Sequence, residues 1–161
     1  MILAALTITS MTFLAQECPE RVADGGHAAA VDSRGDHAMG FDHTKTAHHF
    51  LLAEDGGVID VSANDAADTA SRDKIRMHLR HIATKFSEGD FSIPMFIHFN
   101  GEQAPPGVEI MKQAGSRIVY TYEETSRGGR VRLRAADAEA AGAVREFLRF
   151  QIDDHRTGDP K

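Results

Sequence analysis

The sequence predicts an α+β fold in two layers, in which two long helices cover one face of a four-stranded antiparallel sheet. Residues 46–86 have the pattern of a hairpin followed by an amphipathic helix. Residues 118–155 repeat that plan as a strand, a Gly-Gly pair, a strand, an acidic linker and a helix. A sheet with one apolar face must bury it against another layer, which the helices would supply. We therefore expect a pseudo-duplicated ββα domain over residues 41–159, with halves at about 46–86 and 118–155.

Composition narrows the class of protein. The chain has 161 residues, enough for one domain with its own core. Its net charge of −6, from 24 acidic and 18 basic residues, argues against nucleic-acid binding. No run approaches the roughly 18 consecutive apolar residues that a membrane span needs. Cys18 is the only cysteine, so the chain cannot form an internal disulfide.

The first forty residues predict an export signal and an arm. Residues 1–15 are apolar over about the length of a signal-peptide core. The signal is atypical, because it lacks a charged start and Phe13 is unfavourable before a cut after Ala15. Residues 16–40 contain Gly25-Gly26, several alanines and no apolar period, which predicts a flexible arm. The alternative to export is a buried N-terminal strand or helix in a cytosolic protein.

The first hairpin should turn at Asp55-Gly56 or Gly56-Gly57, since glycine supplies the positive φ of primed turns. Both registers give the same faces because they differ by an even number. The core face then carries His48, Phe50 and Leu52 opposite Ile59, Val61 and Ala63. His49 lies on the outer face. In the helix that follows, the apolar stripe is Ile75, Leu79, Ile82 and Phe86, with His78 beside it.

The middle of the chain is apolar but irregular. Residues 91–99, FSIPMFIHF, contain Pro94, which predicts an edge strand or a loop. His98 lies within this apolar segment, and of the chain's nine histidines it is the one we most expect to be enclosed. Residues 108–114 fit two turns of helix with Met111 pointing inward.

The second hairpin carries the sharpest charge feature. Tyr120 and Tyr122 should face the core, and the final helix should bury Val144, Leu148 and Ile152. The outer face carries an arginine stripe of Arg130, Arg132 and Arg134, with Arg127 at the turn. The stripe is suited to an anion, an acidic partner or a second copy in a homodimer. The alternative is a solvated face paired with Glu123 and with acidic side chains of the first hairpin.

Histidine enrichment points to a metal ion. Imidazole suits copper, zinc and nickel, and a thioether adds a preference for Cu(I). The candidate ligands at the entry to the first strand are His37, Met39, His43, His48 and His49, with His98 as a further candidate. The alternative is a solvated polar arm. The spacing is not that of a tight, cysteine-rich zinc motif.

Two other functions stay open. One is an interaction or self-assembly module that uses the sheet face with the arginine stripe. The other is a small-ligand binder or enzyme, with a pocket between helices and sheet lined by His78, His98, Tyr120 and Tyr122. The sequence has no Gly-x-Ser-x-Gly, phosphate-binding glycine loop or His-Glu-x-x-His motif, which argues against an enzyme.

Four segments carry a resemblance to a family: GFDHTKTAHHF, EDGGVIDVSANDAADTASRDKIR, PPGVEIMK and FLRFQIDDHRTGD. Together they resemble an uncharacterised family of small exported, histidine-rich bacterial proteins without a settled activity. The resemblance covers about residues 35–159 and implies a periplasmic or secreted bacterial protein. It supplies no catalytic residues. We therefore expect a small exported metal-binding protein that handles copper or a similar late transition metal.

Overall fold

The computed structural model describes residues 24–161. The expected signal peptide (1–15), Cys18 and the first part of the expected arm (16–23) lie outside the described residues. The helices are α1 Asp24–Met39, α2 Thr69–Ser87, α3 Ser92–Phe99, α4 Val108–Ala114 and α5 Ala138–Asp154. The strands are β1 Thr46–Ala53, β2 Gly56–Ala63, β3 Ile118–Thr125 and β4 Gly128–Ala135. Within residues 24–161, no helix has both the length and the apolar character that a membrane crossing requires.

The predicted α+β fold is confirmed. The four strands form one antiparallel sheet in the order β1-β2-β4-β3, so the second strands of the two hairpins meet at its centre. Each helix covers the hairpin of the other half of the chain: α2 packs on β3 and β4, and α5 packs on β1 and β2. The predicted stripes of α2 and α5 are both buried in the core. This exchange ties the two halves into one hydrophobic core.

The glycine pairs have a different role from the one expected. The hairpin turns are Glu54-Asp55 and Ser126-Arg127, because Ala53 pairs with Gly56 and Thr125 pairs with Gly128. The actual register differs from the expected ones by an even number, so the predicted faces survive. Glycine is needed for close packing instead. A Cβ at Gly57 would lie 2.3 Å from Leu148 Cδ1 and 2.4 Å from the carbonyl oxygen of Leu51.

The expected flexible arm is wrong for residues 24–39, which form α1. Val31, Gly35 and Met39 are buried at four-residue spacing, so the helix has a narrow stripe of only two apolar side chains. Polar contacts hold it: Arg34 Nε donates to the Ile97 carbonyl oxygen at 2.7 Å. Arg156 donates to both carboxylate oxygens of Asp32 at 2.7 and 2.9 Å. The helix therefore depends on tertiary contacts more than on its own amphipathic pattern.

The expected strand or loop at residues 91–99 is also wrong, because Ser92–Phe99 forms helix α3. Pro94 lies in its first turn, where a missing N–H removes no helical hydrogen bond. Asn100 ends the helix in the left-handed conformation, with φ 53°. Pro94, Ile97 and His98 are buried, and α3 packs against α1. These two helices close one end of the helical layer.

Candidate metal centre

Four histidines from four separate elements line one cavity. His48 comes from β1, His78 from α2, His98 from α3, and His155 caps the C-terminus of α5. The His48 and His155 rings are nearly parallel, with centroids 5.8 Å apart. The His98 and His155 rings meet edge to face at 5.0 Å. Residues spread over more than a hundred positions thus form one histidine cluster, defined here as His48, His78, His98 and His155.

The histidine cluster lines an interior cavity of about 60 Å³. Most of the remaining wall is apolar and includes Phe50, Leu79 and Ile97. A wider cavity of about 290 Å³, here called the mouth cavity, lies beside it, and its lining includes the exposed residues His49 and Arg156. Met39, His48 and His155 line both cavities, so they stand where the two adjoin.

His98 is the most deeply buried member, at 2% exposure, and both of its ring nitrogens have partners. Nδ1 lies 2.5 Å from Asp154 Oδ2, and Nε2 lies 2.9 Å from Gln151 Oε1. The other oxygen of Asp154 bonds His27 Nε2 at 2.8 Å. Burial raises the pKa of Asp154, but hydrogen bonds from His98 and His27 outweigh it and lower the pKa to about 2. His98 is therefore a fixed part of the structural framework.

The other three members of the cluster are neutral at pH 7. Burial lowers the pKa of His48 and that of His78 to about 4, and the pKa of His155 to about 3, because the charged ring loses its hydration. Neighbouring histidines add to each shift by repulsion. A neutral imidazole offers a lone pair, which is the form that binds metal ions.

Two buried polar atoms on the wall of the interior cavity have no hydrogen-bond partner among residues 24–161. They are His48 Nε2 and Gln151 Nε2. Gln151 is only 4% exposed. A buried polar group without a partner costs roughly 1–3 kcal/mol. Such groups are uncommon in folded proteins and point to a ligand, an ion or ordered water.

His43, which lines the mouth cavity, belongs to the mouth cluster, defined here as Asp36, Asp42 and His43. Each of these residues offers one ligand atom, and the three atoms lie within 4.8 Å of one another. His43 Nδ1 is 2.9 and 3.0 Å from the two oxygens of Asp36. Asp36 comes from the last turn of α1, and Asp42 caps the short 3₁₀ turn His43–Lys45, where it accepts from Thr44 N. All three side chains are partly exposed, and the cluster could hold a metal ion.

The proposed metal ligands divide between these places. Met39, His43, His48 and His49 line the mouth cavity, while His98 lines the interior cavity. His49 points to the outer side of the sheet, where Nδ1 bonds Asp159 Oδ1 at 2.8 Å. His37 is exposed on α1 and lines neither cavity. Four of the six predicted ligands thus line the mouth cavity, and one of them, His43, belongs to the mouth cluster.

The arginine stripe is largely paired within the chain. Arg130 contacts Asp60 at 3.1 Å, and Arg134 contacts Asp55 at 3.2 Å. Arg127 donates to the carbonyl oxygen of Asn64 at 3.3 Å. Arg132 is partly buried between Val58 and Thr121 of the neighbouring strands. Two of the three stripe arginines are therefore paired with acidic side chains of the first hairpin, whereas Arg127 at the turn bonds a backbone carbonyl. A homodimer stays a prediction.

The alternative pocket does not form as expected. His78 and His98 line the interior cavity, but Tyr120 and Tyr122 do not. Aromatic rings fill the space beside Tyr120, because Phe86 lies 5.7 Å and Phe91 lies 6.5 Å from it between centroids. The Tyr122 ring lies under the Arg80 guanidinium at 5.0 Å. Phe91, Phe147 and Met111 are each 1% exposed and occupy the core where this pocket was expected.

Three residues of these sites were not predicted from the sequence: Asp36, His155 and Gln151. Asp42 had a signal in the sequence, since it directly precedes His43. Asp36 had none, because its part of the chain was interpreted as a flexible arm. His155 and Gln151 belong to the far end of the repeat, and only the packing of α5 on β1 brings them to His48.

Comparison with known proteins does not add to this evidence: no protein-family model, curated protein or solved structure matches the chain at a significant level.

Proposed function

We propose that this is a small exported metal-binding protein, and that it holds a late transition metal ion, copper in particular, at the mouth cluster. One observation carries the proposal: a carboxylate from α1, a second carboxylate and an imidazole place their ligand atoms within 4.8 Å of one another. Export to the periplasm or beyond is supported by the sequence alone.

The ligand set favours a borderline divalent ion. Two carboxylates and one imidazole suit Cu(II), Ni(II) and Zn(II), and affinity for such a site rises to a maximum at Cu(II) among the first-row ions. The two Asp charges would also offset the charge of the ion. Partial exposure leaves room for water or a further ligand in the remaining positions. Metal ligands must be deprotonated to bind an ion, so acid should weaken binding.

The test is a titration of the metal-free full chain with Cu(II), Ni(II) and Zn(II), followed by calorimetry. We expect one ion per chain and the tightest binding for Cu(II). Asp36→Asn combined with His43→Gln should weaken binding at least about tenfold, which is about 1.4 kcal/mol. The matched control is His37→Gln, which removes an exposed imidazole from the same helix and should leave affinity unchanged.

Two results would refute the proposal. One is the absence of any binding tighter than about 10 μM, which is weaker than a dedicated site requires. The other is a double variant with the affinity of the wild type, since the ion would then lie elsewhere.

A further inference from the structure

The interior cavity has the features of a second site, built from softer ligands than the mouth cluster. Its wall combines a thioether, neutral imidazoles and a mostly apolar lining. It also holds the unpartnered atoms His48 Nε2 and Gln151 Nε2. Dry cavities in proteins are lined by apolar groups alone. Of the two, the ring nitrogen His48 Nε2 can ligate an ion, whereas the amide nitrogen of Gln151 is a donor that suits water or another acceptor.

We propose that Met39, His48 and His155 bind a Cu(I) ion where the interior and mouth cavities adjoin. This inference deepens the proposed function, on which it rests, by assigning the cuprous form of the metal a site of its own. Met39, on the last turn of α1, is 7% exposed and lines both cavities together with the two histidines.

The chemistry of the wall selects the oxidation state. The thioether of Met39 favours Cu(I), and imidazole accepts copper, whereas the carboxylates that favour harder ions lie at the mouth cluster. The cost of moving an ion out of water rises with the square of its charge, so an apolar cavity admits a monovalent ion more readily than a divalent one.

The remaining polar groups fit supporting roles. Both ring nitrogens of His98 are already engaged by Asp154 and Gln151, so His98 holds the neighbouring His155 ring in place by edge-to-face packing at 5.0 Å. His78 lies on the same wall, 5.9 Å from the Phe41 ring between centroids. These contacts fix the wall before an ion arrives.

The test is a Cu(I) titration of the full chain without oxygen, in competition with the chromophoric chelator bicinchoninate. Met39→Leu and His48→Asn should each weaken Cu(I) binding by about 100-fold, since even substitutions behind a ligand typically cost 10–100-fold. The double variant Asp36→Asn/His43→Gln should retain the Cu(I) affinity of the wild type. Met39→Leu is expected to fold, because this swap of similar volume usually costs less than about 1.5 kcal/mol.

X-ray absorption of the Cu(I) complex gives a second measurement. The wild type should show sulfur scattering at copper, and Met39→Leu should lack it. The inference is overturned if the folded wild type takes no Cu(I) from the chelator, if Met39→Leu binds as the wild type does, or if the wild-type spectrum lacks sulfur. Loss of Cu(II) binding only in the mouth variant, with Cu(I) binding intact, separates this inference from the proposed function.

Discussion

The His78 ring is held neutral by its surroundings, so the folded protein should lose stability when this ring has to be protonated in acid. Burial, with repulsion from His48 and His81, lowers its pKa from 6.5 to about 4. The folded protein therefore binds this proton less readily than the unfolded chain does. Stability linked to His78 is complete above about pH 6.5, decreases as the pH falls, and reaches its lowest level near pH 4. At pH 5 the loss is about 2 kcal/mol, at about 1.4 kcal/mol per pKa unit.

The perturbation is His78→Phe, which removes the titrating group and keeps a ring. The internal repeat supports the choice, because Phe147 occupies the corresponding position of α5 and is 1% exposed. The interior cavity beside His78 gives the larger ring space. At pH 7.5 the stability of the variant should lie within about 1 kcal/mol of the wild type. At pH 5 it should be higher than that of the wild type by about 2 kcal/mol.

The assay is thermal unfolding of the metal-free protein at pH 7.5, 6 and 5. For a domain of this size 2 kcal/mol corresponds to a Tm difference of about 4–8 °C. His37→Gln is the control, since this exposed side chain should leave the pH dependence unchanged. If wild type and His78→Phe lose stability in parallel between pH 7.5 and 5, the reasoning about buried neutral histidine is refuted.

Two further predictions concern packing and the His98 network. Gly57→Ala should lower the free energy of unfolding, measured in urea, by about 1–3 kcal/mol, because its Cβ would clash with the Leu51 carbonyl oxygen. In the control Gly142→Ala, in α5, a Cβ meets nothing within 4 Å, and the free energy of unfolding should rise by up to about 1 kcal/mol. Equal effects of the two substitutions would contradict the packing argument. Asp154→Asn should lower the free energy of unfolding by about 3–5 kcal/mol and abolish the loss of stability expected between pH 4 and 2. The control His27→Gln removes only the exposed partner of Asp154 and should cost under about 1 kcal/mol. Similar losses for the two variants would show that Asp154 does not support His98.

The candidate site was only partly predictable from the sequence. Enrichment of histidine before the first strand identified His43 and His48, and Met39 followed from its thioether. Strand parity correctly placed His48 on the core face and His49 on the outer face. Asp36 could not be identified, because its residue type is common and α1 has too few apolar side chains to predict a helix.

The internal repeat was likewise predictable in part: its elements could be predicted from the sequence, but the way they pack could not. It correctly predicted the paired hairpins and the buried stripes of α2 and α5, since alternation and helical spacing are local properties of the chain. It could not predict that each helix covers the hairpin of the other half. That arrangement depends on how whole apolar faces fit together, with Gly57 allowing Leu148 to approach β2.

The sequence by itself determined the two ββα units, their faces and the presence of ligand-type side chains near the first strand. The local rules of period two and period 3.6 suffice for these features, and a shift of a turn by an even number leaves them intact. Only the tertiary structure decided that α1 lines the mouth cavity, that His155 lies beside His48, and that Asp36 lies beside His43. The physical reason is that these residues come together only when the elements that carry them bury a common surface. No local pattern in the sequence predicts which elements will do so.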